Sequence, residues 1–435
     1  MAQQPDGTFQ PELKENAEEA GLPPLEICPM SGAGEDETAM AGRLWPELPA
    51  DPQIGRHRTT LAVHVADEAR RMKSGSGGLV TWLAEDLLKR GEIDRVIHVR
   101  ATGTDDPLLF EYAISRNPDD VRNGAKSRYY PVEMSRILQD LAASEGRAAL
   151  VGVPCFIKAA RGLISSGYLS GDQVPYMIGL VCGHLKSTHF AEYLAWQGGI
   201  APGNLAWCDF REKLLDRPAS DYGFAMRAKG STPDQPAKIV PMADLKGKDW
   251  GEGLFRLTAC EFCDDVLAEC ADIAIGDAWL PGFVDDPRGE NVVVVRDARL
   301  AERIAQAGAS GELVLSDVTP QEVARSQSSG LRHRREGLAH RLARRIDAGR
   351  SVPRKRVAPQ LAQSAERRKI YDLRLKVAET SNDAFLVAKQ QGALAQFDRK
   401  MAPLLRQLKR ATYGSLPTRL LRRLKRELSR RMRAQ

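Results

Sequence analysis

The residues best able to do metal or redox chemistry crowd into Cys260-Glu-Phe-Cys263-Asp-Asp-Val-Leu-Ala-Glu-Cys270. Two thiols separated by two residues bring both sulfurs to one side of a turn, where they can grip a metal. A structural zinc takes a second such pair, and the sequence has none. The remaining cysteines, Cys28, Cys155, Cys182 and Cys208, are single and scattered. Single ligands completing one pair suit an iron–sulfur cluster better than a zinc knuckle, with two unrelated buried cysteines as the alternative. Cys155, in Gly152-Val-Pro-Cys155, stands where an apolar run gives way to a helix, and the free N–H groups and dipole of a helix start favour a thiolate. Cys182-Gly183 follows another apolar run. Taken alone, either of these is as well explained as a small core residue.

A second group suits phosphate and aromatic ligands. Ser74-Gly-Ser-Gly-Gly78 precedes an amphipathic run, and glycines there let backbone N–H groups approach an anion at a helix N-terminus. It is neither the dinucleotide-binding fingerprint nor a P-loop, and a flexible turn is the plain alternative. Lys126-Ser-Arg-Tyr129 offers cations and an aromatic face, or a solvated charge pair. No Ser/His or His/Asp arrangement asks for hydrolysis, and His184 and His189, the two histidines near the proposed cluster region, read as structural.

These residues need elements to hold them. Residues 1–50, rich in Pro, Gly and Glu, read as an irregular lead-in. From Leu61 short apolar runs alternate with amphipathic segments: Leu61–Val65, helix Leu79–Leu88, Val96–Val99, then Ala148–Val153, helix Cys155–Ile164, Val174–Val181 and helix Ser187–Trp196. Strand, helix, strand is the order of a βαβ unit. Further strands are expected at Ala271–Ile275 and Asn291–Val295, and a helix at Ala298–Ala307, whereas 205–250 shows no readable strand order. The fold class is α/β with a mixed or parallel sheet, in an N-terminal part (51–140) and a C-terminal part (141–325) carrying the cluster cysteines. Residues 326–435 form a basic α-helical extension, with breaks expected near Pro353, Pro359, Pro403 and Pro417.

Composition narrows the class. The 435 residues are 43% hydrophobic and 28% charged, which excludes collagen-like, wholly disordered and disulfide-scaffold chains. There is no long apolar span and no apolar leader, so the expected location is cytoplasmic, where thiols stay reduced. From Leu331 onward there are 29 Lys and Arg against 8 Asp and Glu, about +21, while the whole chain carries +6. An acidic body thus bears a basic tail. In the last segment Leu416, Leu420, Leu421, Leu424, Leu428 and Met432 share one face amid arginines, a basic amphipathic helix suited to an anionic membrane surface at the inner face of the membrane. Docking on the acidic body, nonspecific nucleic-acid binding (the disfavoured choice) and a solvated extension are the other readings.

In order, Ser74-Gly-Ser-Gly-Gly-Leu-Val-Thr81, Lys126-Ser-Arg-Tyr-Tyr130, Gly152-Val-Pro-Cys155, Gly179-Leu-Val-Cys-Gly183 and Cys260-x2-Cys263 followed by Gly276-Asp-Ala-Trp279 resemble the family of coenzyme F-420 hydrogenase/dehydrogenase beta subunits, over roughly residues 50–300. The resemblance implies a flavin and iron–sulfur oxidoreductase. Ser74, Ser76, Gly77 and Gly78 would cradle the pyrophosphate of FAD, with Lys126, Ser127 and Tyr129 nearby and Asp277 close to the flavin. Cys155, Cys182, Cys260 and Cys263 would ligate a 4Fe-4S cluster, with Cys270 in reserve. Electrons would pass between cluster, FAD and a small organic substrate or a deazaflavin coenzyme, with a redox partner protein. Bacterial relatives are linked to cell-surface polysaccharide biosynthesis. The sequence departs from the pattern in lacking a ferredoxin-like Cys-x2-Cys-Gly-x-Cys segment before Cys28-Pro29, through a late start or loss of a second cluster. A non-catalytic relative, a scaffold docking through its basic tail, is the competing class.

Overall fold

The computed structural model describes residues 1–11, 25–103, 106–232, 234–362 and 364–414. Two short ladders, β1 (Ala2–Gln3) with β2 (Phe9–Gln10) and β3 (Ala50–Asp51) with β4 (Gly55–Arg56), flank a helix α1 (Glu37–Leu44). The lead-in is therefore not wholly irregular. Asp36 caps α1 by accepting from the Ala39 N–H at 2.9 Å, and Met40 and Ala41 turn inward.

The body is an eight-stranded mixed sheet. Its strands are β5 (Thr59–Val65), β6 (Arg95–Ala101), β7 (Phe110–Ser115), β8 (Ala148–Gly152), β9 (Tyr176–Leu180), β13 (Ile273–Asp277), β14 (Asn291–Val295) and β15 (Leu313–Asp317), in spatial order β15-β5-β14-β13-β9-β8-β6-β7. The inner four, β6, β8, β9 and β13, run parallel; β7 on one side and β14, β5 and β15 on the other are antiparallel to their neighbours. The expected first βαβ unit forms, with its two parallel strands far apart in the sheet. The strands at Leu61–Val65 and Val96–Val99 belong to one sheet, but β14, β13, β9 and β8 lie between them. Hydrophobic alternation gives each strand's orientation, not its neighbour.

Helices cover both faces. On one side α3 (Leu79–Lys89), after the short α2 (Glu68–Lys73), buries Leu79, Trp82, Leu83 and Leu87 against Val63, Val65, Val96, Ile178 and Val293, together with α8 (Ala298–Ala309) and the short α4 (Pro118–Asn123). On the other, α5 (Ser135–Ala142) and α6 (Pro154–Ser165) pack with Leu150, Met177, Ala274, Val292 and Val294. The β14 run Val292–Val295 feeds both layers in alternation, as a strand buried on both faces must.

Residues 205–250, unreadable in sequence, form an antiparallel meander of β10 (Leu205–Glu212), β11 (Gly223–Ala228) and β12 (Lys238–Pro241). Register shifts between Leu205 and Trp207 and between Asp209 and Glu212 break its period, which is why alternation fails there. A second core joins this sheet to α7 (His189–Gln197) and to the C-terminal helices.

Those helices are α9 (Pro320–Ser326), α10 (Ser328–Arg334), α11 (Glu336–Asp347), α12 (Ala365–Gln390) and α13 (Leu394–Tyr413). Leu373, Val377, Phe385, Phe397, Met401 and Leu408 pack with Phe190, Tyr193, Phe224 and Phe255 of the body. Ion pairs add Lys389 to Glu192 at 2.6 Å, Lys409 to Glu252 at 3.1 Å and Lys355 to Asp264 at 3.2 Å. Of the readings of the tail, docking on the acidic body describes residues 326–414. The expected amphipathic helix over 416–432, read as suited to a membrane surface, lies outside the described residues. Pro403 does not break α13, contrary to expectation; it stands on the exposed side while Phe397, Met401 and Leu408 anchor the helix. Among the described residues no helix is long and apolar enough to cross a membrane.

Candidate functional site: a cavity beside four cysteines

The parallel strands converge at their carboxyl ends, where sites form in open α/β sheets. β8 ends at Gly152, and after Val153 comes Pro154 at the first turn of α6, followed by Cys155. The next strand, β9, ends two residues before Cys182, and β13 ends at Asp277. β5 ends on the same edge, since Asn291 is opposite both Asp277 and Val63, and the short α2 carries the chain from it to the Ser/Gly loop. The pair Cys260 and Cys263 arrives on the loop after β12, in a 3-10 turn at Thr258–Phe262.

This brings together Cys155, Cys182, Cys260 and Cys263. Burial pushes Cys155 well above the usual thiol range, and the neighbouring Cys263, Cys182 and Cys260 push further, while Arg334 opposes them. Burial likewise lifts Cys182 to about 12 and Cys263 to about 11, again against Arg334. For Arg334, burial disfavours the charge, and the attraction of Cys263, Cys260, Cys182 and Cys155 in their thiolate forms outweighs it. The Leu185 N–H donates to Cys260 Sγ at 3.3 Å. Among the described residues no three His, Cys, Asp or Glu side chains close tightly enough to hold a single metal ion. Four cysteines grouped in this way are a donor set that an iron–sulfur cluster could use, since its ligands stand farther apart than those of one ion. Binding would release their protons.

Cys270, kept in reserve, has other company: burial raises its thiol, followed by Glu37, Asp265 and Glu269. Cys208 is buried in the second core and Cys28 is exposed.

A cavity of about 570 Å³ opens against the thiols, with Cys182 in its wall. That is within the range of pockets that hold small cofactors. Of the loop residues, Gly75, Ser76 and Gly78 line it, whereas Ser74 and Gly77 do not. Ser74 Oγ turns away to donate to the Arg70 carbonyl at 2.8 Å. Gly77 serves packing: a Cβ there would lie 2.4 Å from the Val63 carbonyl oxygen. Gly78 caps α3 with φ of 87°, a conformation that favours glycine. The Leu79 N–H is taken by Asn291 Oδ1 at 3.1 Å, and Val80 and Thr81 of the first turn face the cavity. Their N–H groups have no partner within the helix, so this end suits an anion.

Lys126, Ser127, Tyr129 and Asp277 also line the cavity. Lys126 takes the left-handed φ of 92°, uncommon for a side-chain residue. Its Nζ pairs with Asp209 at 3.1 Å and Glu212 at 3.4 Å, so its charge is already neutralised by the meander. Tyr129 packs edge-on to Trp250 with ring centroids 4.6 Å apart, and burial raises its hydroxyl. Asp277 accepts from Arg211 Nη1 at 2.5 Å, which fixes a guanidinium over Tyr222 and Trp279 at 4.8 and 5.3 Å.

Sequence reasoning missed Gly75, Arg211, Trp250, Asn291, His333 and Arg374, all in the wall. Gly75 sat inside the Ser/Gly motif. Arg211 and Trp250 lie in the stretch whose strands could not be ordered, and His333 and Arg374 in the tail. His184, read as structural, is in the wall too. Burial drives the imidazoles of His184 and His333 to the neutral form, followed by the cations Lys186 for the first and Arg341 for the second, with Arg256, Arg334 and Arg374 near both. The Nε2 of each is buried without a hydrogen-bond partner among the described residues, as an absent ligand would leave it.

A mixed sheet with four thiols and a cofactor-sized cavity at its strand ends is the architecture of a redox subunit. Residues 60–139 match the family described as coenzyme F420 hydrogenase/dehydrogenase, beta subunit N-term, and residues 146–321 match its C terminus. The chain belongs to this family of oxidoreductase subunits. It is 25% identical over 234 residues to one of the subunits of the F(420)H(2) dehydrogenase of Methanosarcina mazei, a match covering 52% of this chain and 60% of that protein. The chain thus spans less than two thirds of that relative. It also resembles a chain of the F420-reducing [NiFe] hydrogenase complex from Methanosarcina barkeri, with a TM-score of 0.52 and 17% identity, covering 71% of this chain and 99% of that one. That likeness shows the fold.

Proposed function

We propose that this chain is a flavin- and iron–sulfur-dependent oxidoreductase subunit, passing electrons between a 4Fe-4S cluster, FAD and a small organic acceptor or deazaflavin-type coenzyme. The observation that carries the reading is the shared wall. Cys182 belongs both to the thiol group and to the cavity that runs to the Ser76–Gly78 loop. A thiol-held centre there stands within short electron-transfer reach of anything bound in the cavity.

The cluster would relay single electrons and FAD would gather two for exchange with the acceptor. The residues of the chain do the holding. The first turn of α3 and the Ser76–Gly78 loop would receive the pyrophosphate. Tyr129 and Trp250 offer aromatic walls, and Arg211, fixed by its pair with Asp277, offers the N–H donors of a rigid guanidinium. His184 and His333, kept uncharged, offer hydrogen bonds to a polar heterocycle near Cys182. Residues from α9, α10 and α12 line this end. A redox partner protein and an intracellular setting belong to the same reading.

Anaerobic purification of the full chain, with iron and flavin assays and a visible spectrum, tests it. The expected result is one FAD and about four irons per chain, with a flavin band and broad shoulder that dithionite bleaches. Colourless protein that cannot be reconstituted with iron and FAD overturns it in favour of the scaffold reading.

A further inference from the structure

Each residue of the Cys260–Cys263 turn is held by an arginine from α10 or α11. Arg334 Nη1 donates to the Cys260 carbonyl at 3.1 Å and reaches the Cys263 carbonyl at 3.5 Å, while its Nη2 donates to the Gly183 carbonyl, next to Cys182, at 2.6 Å. Arg341 donates to the Glu261 carbonyl through Nε at 3.0 Å and Nη2 at 2.9 Å, and pairs with the Glu261 carboxylate at 2.8 Å. The Arg345 guanidinium stands 5.1 Å from the Phe262 ring centroid. Arg334 and Arg341 are buried, and the Arg334 Nε is buried without a hydrogen-bond partner among the described residues. All three arginines lie beyond the family-matched region, which ends at residue 321.

We propose that this C-terminal segment is part of the iron–sulfur site: Arg334, Arg341 and Arg345 are positioning residues that fix the ligand-bearing turn, and Arg334 also places a permanent positive charge beside the four sulfurs. A guanidinium fork bound to carbonyls on both loops locks Cys182 relative to Cys260 and Cys263, as one point charge could not. A buried cation next to a thiolate-ligated centre favours its one-electron reduced form and raises its midpoint potential.

The inference rests on the cluster reading, and the experiment separates the two. Iron release to a chelator and an anaerobic redox titration are measured on the full chain and on R334Q, R334K, R341K and R345Q. R334Q is expected to release iron about 10- to 100-fold faster, the usual range for lost outer contacts of a metal site, and to titrate at a more negative potential. R334K keeps the charge but not the fork, so it releases iron faster while its potential stays near that of the parent. R341K and R345Q release iron faster at an unchanged potential. Parental release rates and potential in R334Q overturn the inference. If R334Q does not fold, parental release rates in both R341K and R345Q overturn it. A parent chain that takes up no iron fails earlier and overturns the cluster reading itself.

Discussion

Cys155 is half-buried and Cys270 buried, and their surroundings give them different expected roles. Cys155 lies among three other cysteines and Arg334, and Cys270 among Glu37, Asp265 and Glu269. On the proposed function, C155S and C182S lose most of the iron, while C270S keeps its iron and costs about 1 kcal/mol of stability as a small core substitution. Iron assay and thermal unfolding on the same samples check both halves. Histidines give a pH prediction away from the thiols. Burial, with Arg100, lowers His98 to about 4, its Nε2 being 2.8 Å from Ser115 Oγ; burial, with Lys389, lowers His189 to about 4. Their folded values lie below the usual 6.5, so as pH falls the unfolded chain takes up the protons first. Stability is therefore whole above about pH 6.5 and falls on the way to pH 4, by an amount on the order of 1–3 kcal/mol for each imidazole. Unfolding midpoints from pH 7.5 to 4.5 should show the decline, and H98N should flatten part of it.

At the scale of elements, periodicity located most segments and misjudged those whose register or packing it could not see. The amphipathic spacing of Leu79, Trp82, Leu83 and Leu87 gave α3 almost to the residue, and the run Asn291–Val295 gave β14. The bulged β10 hid the meander, and with it Arg211. Pro403 was read as a helix break because proline removes an N–H and crowds the preceding turn. Packing of α13 against α12 and the body tolerates that penalty, and the exposed position leaves room for its repair. P403A is expected to stabilise the chain by about 1–3 kcal/mol, seen as a higher unfolding midpoint. An unchanged or lower midpoint would show that Pro403 shapes α13 in a way its surface position does not suggest.

At the scale of the molecule, the charge division between an acidic body and a basic extension is resolved by contact. The arginines and lysines of residues 326–414 meet carboxylates and carbonyls of the body, as in Arg356 with Glu269 at 2.9 Å and Arg335 with the Pro52 carbonyl at 2.6 Å. The same helices cover Phe190, Tyr193 and Phe255. A chain ending after residue 325 would expose this apolar surface and leave the Cys260 turn without its arginines. Such a truncation is expected to lose the cooperative unfolding transition and to aggregate, which calorimetry and light scattering would register. A truncation that keeps a sharp transition would show that the extension is an accessory.

The amino-acid sequence by itself determined the α/β class, most strands and helices, and the short list of cysteines and loop residues, because those depend on local period, turn chemistry and motif spacing. It also carried the family resemblance. Only the tertiary structure decided that Cys155, Cys182, Cys260 and Cys263 share one region while Cys270 has other company. It likewise decided that Ser74 and Gly77 turn from the cavity, that Lys126 is already paired, and that the basic extension encloses the site. Strand order, the direction a side chain leaves its backbone and the partner a charge finds are all set by contacts between residues far apart in the chain, and no window of sequence contains both members of such a pair.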